Sequence, residues 1–283
     1  MKAIHNLLSL VIVCANLSVS YISPAVAEST TKLAVVNKAG EVWVREVWAN
    51  AVGEGVKLEG PGLFGGPDDA FVLGSYRAIS VVTKSGVLWV HSIEGDAPGE
   101  YLGSILGSVY PVAGSLFGGP DAKYVLTDSN MIYVINTKGE VWAHPWTANL
   151  SDGYKLSGPS LFGSPNDKYV LLDGNRILVI NTLGEIWAHD LSCTHPIPQS
   201  YNCPPDTIGG GYKLNGPNLF GAANDKYVVL WYDLLFVINT SGEVWARQIS
   251  SSTVGAGYKL SGPALFGGAN DKYVVVYEVP ILN

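Results

Sequence analysis

Two residues beyond each of five recurring tryptophans (Trp43, Trp89, Trp142, Trp187 and Trp245) stands a cationic or imidazole side chain: Arg45, His91, His144, His189 and Arg247. Strand alternation puts each such pair on one face of a sheet. The position therefore supplies either five equivalent donors for a ligand or five edge residues stacked on neighbouring aromatic rings. The tryptophans read as interior packing, each indole N–H finding a backbone acceptor. A second recurring position carries Asp68, Asp121, Asp167, Asp225 and Asp271 just before an apolar run. Such side chains bond nearby backbone N–H groups and fix a turn; the alternative is a ring of carboxylates facing a ligand. The spacing Asx-Asp-Lys-Tyr lacks the alternating oxygen ligands of a calcium loop, so calcium is not expected.

Three tryptophans fall outside the recurring set. Trp48 and Trp146 read as matching positions in two short connections, and Trp231 takes a hairpin place held elsewhere by Asp128 and Asp173. Aromatic platforms of this kind stack on the apolar face of a sugar ring, and repetition raises their weak affinity. They can equally cover an edge or an oligomer contact. Catalytic chemistry finds little support. There is no Gly-x-Ser-x-Gly elbow, His-Glu-x-x-His helix or phosphate loop. Most acids are repeat positions: Glu41, Glu140, Glu185 and Glu243 precede the Trp runs, with Val87 in the remaining copy. A residue present in every repeat is a poor candidate for a single active site. A glycan hydrolase would need unique carboxylates grouped together, and Asp128 with Asp173, hairpin residues first, are the one pair to nominate. No catalytic residue, metal or cofactor is assigned.

The elements that must position these residues are repeated strands. From the Phe of each LFG phrase to the following Trp is 25 residues in four copies (Phe64, Phe117, Phe162 and Phe220). A fifth copy is split, with LFGGANDKYVVVYEV (265–279) at one end of the chain and LAVVNKAGEVW (33–43) at the other. Within a copy, short β-rich runs alternate with turn chemistry, and no stretch keeps helical periodicity. The first two runs are apolar nearly throughout, as expected of strands covered on both faces. A four-stranded sheet of that kind, repeated five times, predicts an all-β, five-bladed propeller. Its blades comprise 272–279 with 33–60, 70–114, 123–158, 168–216 and 226–262, and the C-terminal strand pairs with the N-terminal strands to close the ring. The connections 91–113 and 189–210 break the symmetry on one face.

Residues 1–27 read as a secretory leader: Lys2, the apolar stretch Leu7–Ala15 and a small-residue cleavage site ending at Ala27. The expected address is secreted or periplasmic, with residues 28–283 forming one domain. Of the cysteines beyond the leader, Cys193 and Cys203 lie in one irregular insertion, and an oxidising compartment makes them a disulfide. His195 beside them leaves a metal site without a fourth ligand. The formal charge is −7, with no basic stripe, which argues against nucleic acid and anionic membranes as partners. No further apolar run predicts membrane insertion. Asn149-Leu-Ser and Asn239-Thr-Ser fit a glycosylation sequon.

This plan, with a Gly-Glu-Val-Trp-Ala-His third strand (139–144), resembles the tachylectin-type five-bladed propeller lectins, whose corresponding strand reads Gly-x-Leu-Tyr. The resemblance covers the expected exported chain in architecture. It implies binding of N-acetylated sugars at one site per blade or blade junction. The longer propeller lectins share an LFG-like phrase, but their Asp-rich calcium motif is missing here. The leading expectation is a secreted, non-enzymatic, multivalent carbohydrate-binding protein acting on saccharides or glycoconjugates. The alternatives are a protein-interaction scaffold using the 91–113 and 189–210 loops, and, third, a glycan-processing hydrolase.

Overall fold

The computed structural model describes residues 29–48, 50–60, 62–63, 69–75, 78–95, 103–112, 116, 122–128, 131–146, 152–161, 167–194, 203–219, 225–265 and 271–280. They form five antiparallel sheets and no helix. The leader and the LFG loops after their leucines lie outside the described residues.

Each sheet is a meander. The fourth blade shows the plan: Asp167–Asp173, Arg176–Asn181, Ile186–Ser192 and Tyr212–Lys213, with Thr207–Ile208 added on the third strand. The second strands are covered on both faces; in RILVIN the four central residues are buried and the two end residues half-buried. Alternate residues of one strand serve different neighbours. Ile177 and Val179 join the cluster shared with the third blade, whereas Leu178 and Ile180 join the cluster shared with the fifth. Five such clusters, one per junction, complete a ring. This is the five-bladed propeller that the repeats predict, and the continuous apolar runs are its cause.

The ring closes without a covalent link. Asp271–Pro280 pairs antiparallel with Ser29–Asn37, in register from Ser29↔Pro280 to Val36↔Tyr273, with a bulge before Asn37↔Asp271. A bulge recurs at this place in every blade. It sets Asp167, Asp225 and Asp271 opposite Asn181, Asn239 and Asn37. The same register puts Asp69 opposite Thr83 and Ala122 opposite Asn136. This corrects the repeated-aspartate reading: the residue in register is Asp69 in the second blade and Ala122 in the third. Aligned on Phe71, Tyr124 and Tyr169, the sequence puts Asp68 and Asp121 at the place of Asn166, one residue before Asp167.

Among the described residues a second set of inter-blade bonds runs near the fourth strands, at four of the five junctions. Ser157 of the third blade bridges in parallel to Thr207 of the fourth, Asn215 to Thr253 of the fifth, and Ser261 to Ala51 of the first. In the first blade Glu59 accepts from Leu106 N of the second at 2.7 Å. Each bridge is followed by a glycine: Gly60, Gly158, Gly216 and Gly262, at φ between 126° and 136°. A Cβ there would lie far inside contact distance of a carbonyl oxygen on the next blade (Leu106, Ile208, Val254 and Val52). Both the backbone conformation and the close approach demand glycine.

The hairpin glycine Gly174 has a positive φ of 57° but open space around it, and Tyr232 holds the sister position at 48°. Gly158→Ala therefore loses about 2–3 kcal/mol or more of stability, and Gly174→Ala about 1 kcal/mol. Urea unfolding of both variants measures the difference; equal shifts would show that the inter-blade approach adds nothing to the backbone cost.

Candidate functional site

A four-residue turn links the second and third strands, and its first side chain builds the most regular polar feature of the surface. In the fourth blade Asn181 Oδ1 accepts from the backbone N–H groups of Leu183 and Glu185, both at 3.0 Å. This is Asx-turn chemistry. Asn181 Nδ2 then donates to Glu185 Oε2 at 2.8 Å, and Lys213 Nζ donates to Glu185 Oε1 at 2.6 Å. The same clamp recurs as Asn37–Glu41–Lys57, Asn136–Glu140–Lys155 and Asn239–Glu243–Lys259. The lysine first, and the asparagine amide second, hold all four carboxyls below the ordinary value of 4.5. The pairs face solvent, so they add little to stability. The second blade departs: the Thr83 hydroxyl accepts from Val87 N at 3.1 Å, and Pro111 stands in the lysine's register.

The repeat tryptophans belong to this surface. Trp187 pairs directly with Lys213, Trp43 with Lys57 and Trp245 with Lys259. Cross-strand partners share a face, and the glutamate two residues earlier shares it too. Trp43, Trp187 and Trp245 are each 40% exposed. This corrects the expectation that they are interior. Blades diverge toward the rim, and a fourth strand of two residues is too short to sandwich an indole at that radius. Trp89 and Trp142 remain half-buried against the clusters on either side of the second blade. Each open copy thus combines an indole, a lysine ammonium, a carboxylate and a side-chain amide.

The basic position lies further inside. His91, His144 and His189 are buried, while Arg45 and Arg247 are half-buried. Arg45 Nη1 donates to Gly53 O at 3.1 Å, Arg247 Nη1 to Gly255 O at 3.3 Å, and His189 Nδ1 meets Gly209 O at 3.1 Å. Arg247 Nη2 also reaches Leu219 O at 3.4 Å. These side chains tie the third strand to the loop that leads to the fourth, which is a structural task. Burial lowers the His91 pKa from 6.5, opposed in part by a hydrogen bond to the Leu63 backbone.

The remaining candidates separate. Trp48 is 50% exposed and lies over Gly53. Trp146 is not its match. The register places Met131 opposite Pro145 and Lys32 opposite Glu46, so Trp146 corresponds to Val47. It fills the core place taken by Val47, Ile93, Leu191 and Ile249, as its half-buried packing in the second–third junction shows. The side chains of Trp231, Asp167, Asp225 and Asp271 lie outside the described residues, as do Asp68 and Asp121 entirely. Asp128 Oδ1 accepts from Met131 N at 2.8 Å, and Asp173 pairs with Arg176; each carboxylate serves its own hairpin, on separate blades.

Cys193 and Cys203 form a disulfide with Cα atoms 6.0 Å apart. Thr194 and Asp206 reinforce it: Thr194 N and Oγ1 both donate to the Asp206 carboxylate, at 2.9 and 2.6 Å. His195 and the rest of the insertion to residue 202 lie outside the described residues, as do 96–102 of the other long loop. Among the described residues no helix is long and apolar enough to cross a membrane.

Sequence reasoning missed the lysines. A signal was present, because the one repeat without the glutamate (Val87) also lacks the lysine, carrying Pro111 in its place. Loss of both partners together marks a pair.

No protein-family model and no curated protein sequence matches the chain. Solved structures with similar folds include AztD from Citrobacter koseri (7% identity, 89% of this chain, 99% of that chain, TM-score 0.39). Others are Prp20p from Saccharomyces cerevisiae (10%, 83% and 62%, TM-score 0.37) and a protein provisionally assigned as a 6-phosphogluconolactonase from Bacteroides fragilis (13%, 86% and 70%, TM-score 0.41). The chain spans less than two thirds of the human WBSCR16 and Prp20p chains it matches, 65% and 62% respectively. At these identities and scores no function carries over to this chain, and the likeness to tachylectin-type lectins remains one of architecture.

Burial of His91 makes stability depend on pH. Its folded pKa lies below 6.5, so the unfolded chain binds the extra proton first, and stability rises with pH through this range. The contribution is fully present above pH 6.5 and is lost as pH falls below it. The thermal midpoint should drop between pH 7.5 and 5.5, and His91→Gln should flatten part of that drop. A pH-independent midpoint would contradict the assignment.

Proposed function

We propose that the chain is an exported, non-enzymatic protein that binds carbohydrate at several equivalent sites, each built on an exposed repeat tryptophan. One observation carries the reading: Trp43, Trp187 and Trp245 recur at the same exposure, each beside the same lysine–glutamate pair. An indole face takes the C–H face of a pyranose ring. The ammonium donates to one ring substituent and the carboxylate accepts from another. Each such site is shallow and weak, and several on one rigid ring bind a clustered glycan through effective concentration. The disulfide agrees with export to an oxidising compartment, secreted or periplasmic.

A second reading, a protein-interaction scaffold, has its own observation. On the face of the long loops, Tyr232 is 68% exposed and sits at φ 48°, a conformation that a bulky residue adopts at a cost. With Trp48 it offers aromatic contact area to a protein partner. A hydrolase reading has less support, because Asp128 and Asp173 are engaged in separate hairpins.

A glycan array probed with the chain from Glu28 onward, disulfide intact, separates these readings. The saccharide reading expects defined glycans to be retained, with signal lost stepwise in Trp187→Ala and Trp245→Ala variants. An array silent at high micromolar protein would contradict it and turn attention to the Trp48–Tyr232 face.

A further inference from the structure

Resting on the saccharide reading above, we propose that the sites are three, on the contiguous arc of the fourth, fifth and first blades, and that each takes an uncharged sugar ring through two adjacent hydroxyls.

The five repeats are unequal at the rim. The second blade has Thr83, Val87 and Pro111 where the clamp needs asparagine, glutamate and lysine, and its Trp89 is half-buried. The third blade has the complete clamp of Asn136, Glu140 and Lys155. Its tryptophan, however, joins the same apolar cluster as Trp146, the one aromatic side chain at a position that is aliphatic in the other four junctions. That junction is filled by a larger group, and Trp142 is half-buried there. Only the fourth, fifth and first blades, among the described residues, join a complete clamp to a 40%-exposed indole. They are consecutive around the ring, as the clusters shared between blades four and five and between blades five and one show.

The polar groups select the ligand's charge. Each lysine Nζ uses one N–H in its ion pair, and each glutamate oxygen accepts one side-chain hydrogen bond, from lysine or asparagine. An ammonium carries three donors and a carboxylate about four acceptor positions. Both groups keep bonding capacity, and their side chains are part-exposed. A donor beside an acceptor matches two neighbouring hydroxyls, one accepting and one donating. A sugar carboxylate would instead be placed against the glutamate, in a site with no net charge on a chain of formal charge −7.

The test is ¹⁹F NMR of the chain labelled with 5-fluorotryptophan, with resonances assigned by single Trp→Phe variants. The titrants are cellotetraose, mannotetraose, xylotetraose, chitotetraose and, as the acidic probe, tetragalacturonate. The expected result is that one or more neutral oligosaccharides move the Trp43, Trp187 and Trp245 resonances while Trp89 and Trp142 stay in place. Lys213→Met should then weaken the Trp187 response about tenfold and leave the Trp43 and Trp245 responses unchanged. Parallel shifts of all five repeat resonances would overturn the three-site arc but keep the saccharide reading. Response to tetragalacturonate alone would overturn the neutral class. Silence of every tryptophan with every sugar would remove the saccharide reading and this proposal together.

Discussion

Pairing of Ser29–Asn37 with Asp271–Pro280 is the interaction on which the rest of the ring depends. The C-terminal strand is the innermost strand of the first blade. Its consecutive residues serve two junctions: Val274 packs in the cluster shared with the fifth blade, and Val275 in the cluster shared with the second. Without that strand the first blade loses its innermost strand, and both of its junctions lose apolar contact there. Because the partners are the two ends of the chain, the contact carries the largest loop-closure cost the molecule has. Folding of such non-local pairings is slow. Two features hold the closure once it is made: the long register from Ser29↔Pro280 to Val36↔Tyr273, and the parallel bridge of Ser261 to Ala51 between the fifth and first blades.

The rim surface follows from the same geometry. Wedge-shaped packing buries the second strands and leaves the third-strand residue at the rim only partly covered. A tryptophan there has one edge in a junction and one face in water. The clamp beneath it begins as turn chemistry. An asparagine that organises its own loop presents its amide to a glutamate, and the short fourth strand supplies the lysine. A charged residue on a sheet edge also discourages pairing with another chain. One side chain therefore serves edge protection and the polar half of the site. Repetition of the strand meander repeats the site, while departures in single blades decide which copies stay open.

Much of the frame was legible in the sequence because it rests on local rules. Apolar runs bounded by turn residues gave strands, the split fifth copy gave the closure, and the two cysteines in one insertion gave the disulfide. The errors arose where a one-residue offset changes the face. Trp48 and Trp146 look equivalent in their hexapeptides, yet the register separates them by one position, and one is exposed while the other is core. The repeated aspartates show the same one-residue offset: the residues in register are Asp69 and Ala122, each next to the aspartate that looks like the repeat position. The exposure of Trp43, Trp187 and Trp245 depends on blade divergence at the rim, a property of the assembled ring that no window of sequence contains. Arg45, His144, His189 and Arg247 are covered by glycines of the connection that follows in the same blade, a tertiary contact that strand alternation alone does not show.

The most direct test of the central claim is calorimetric titration of the combined Trp43→Ala, Trp187→Ala, Trp245→Ala variant with the best-bound oligosaccharide, beside the parent chain. These side chains project from the rim, so the variant's unfolding transition should stay cooperative. The account predicts that heat of binding disappears while that transition persists. A folded variant that binds the sugar with parent affinity would place recognition elsewhere on the molecule and contradict the account.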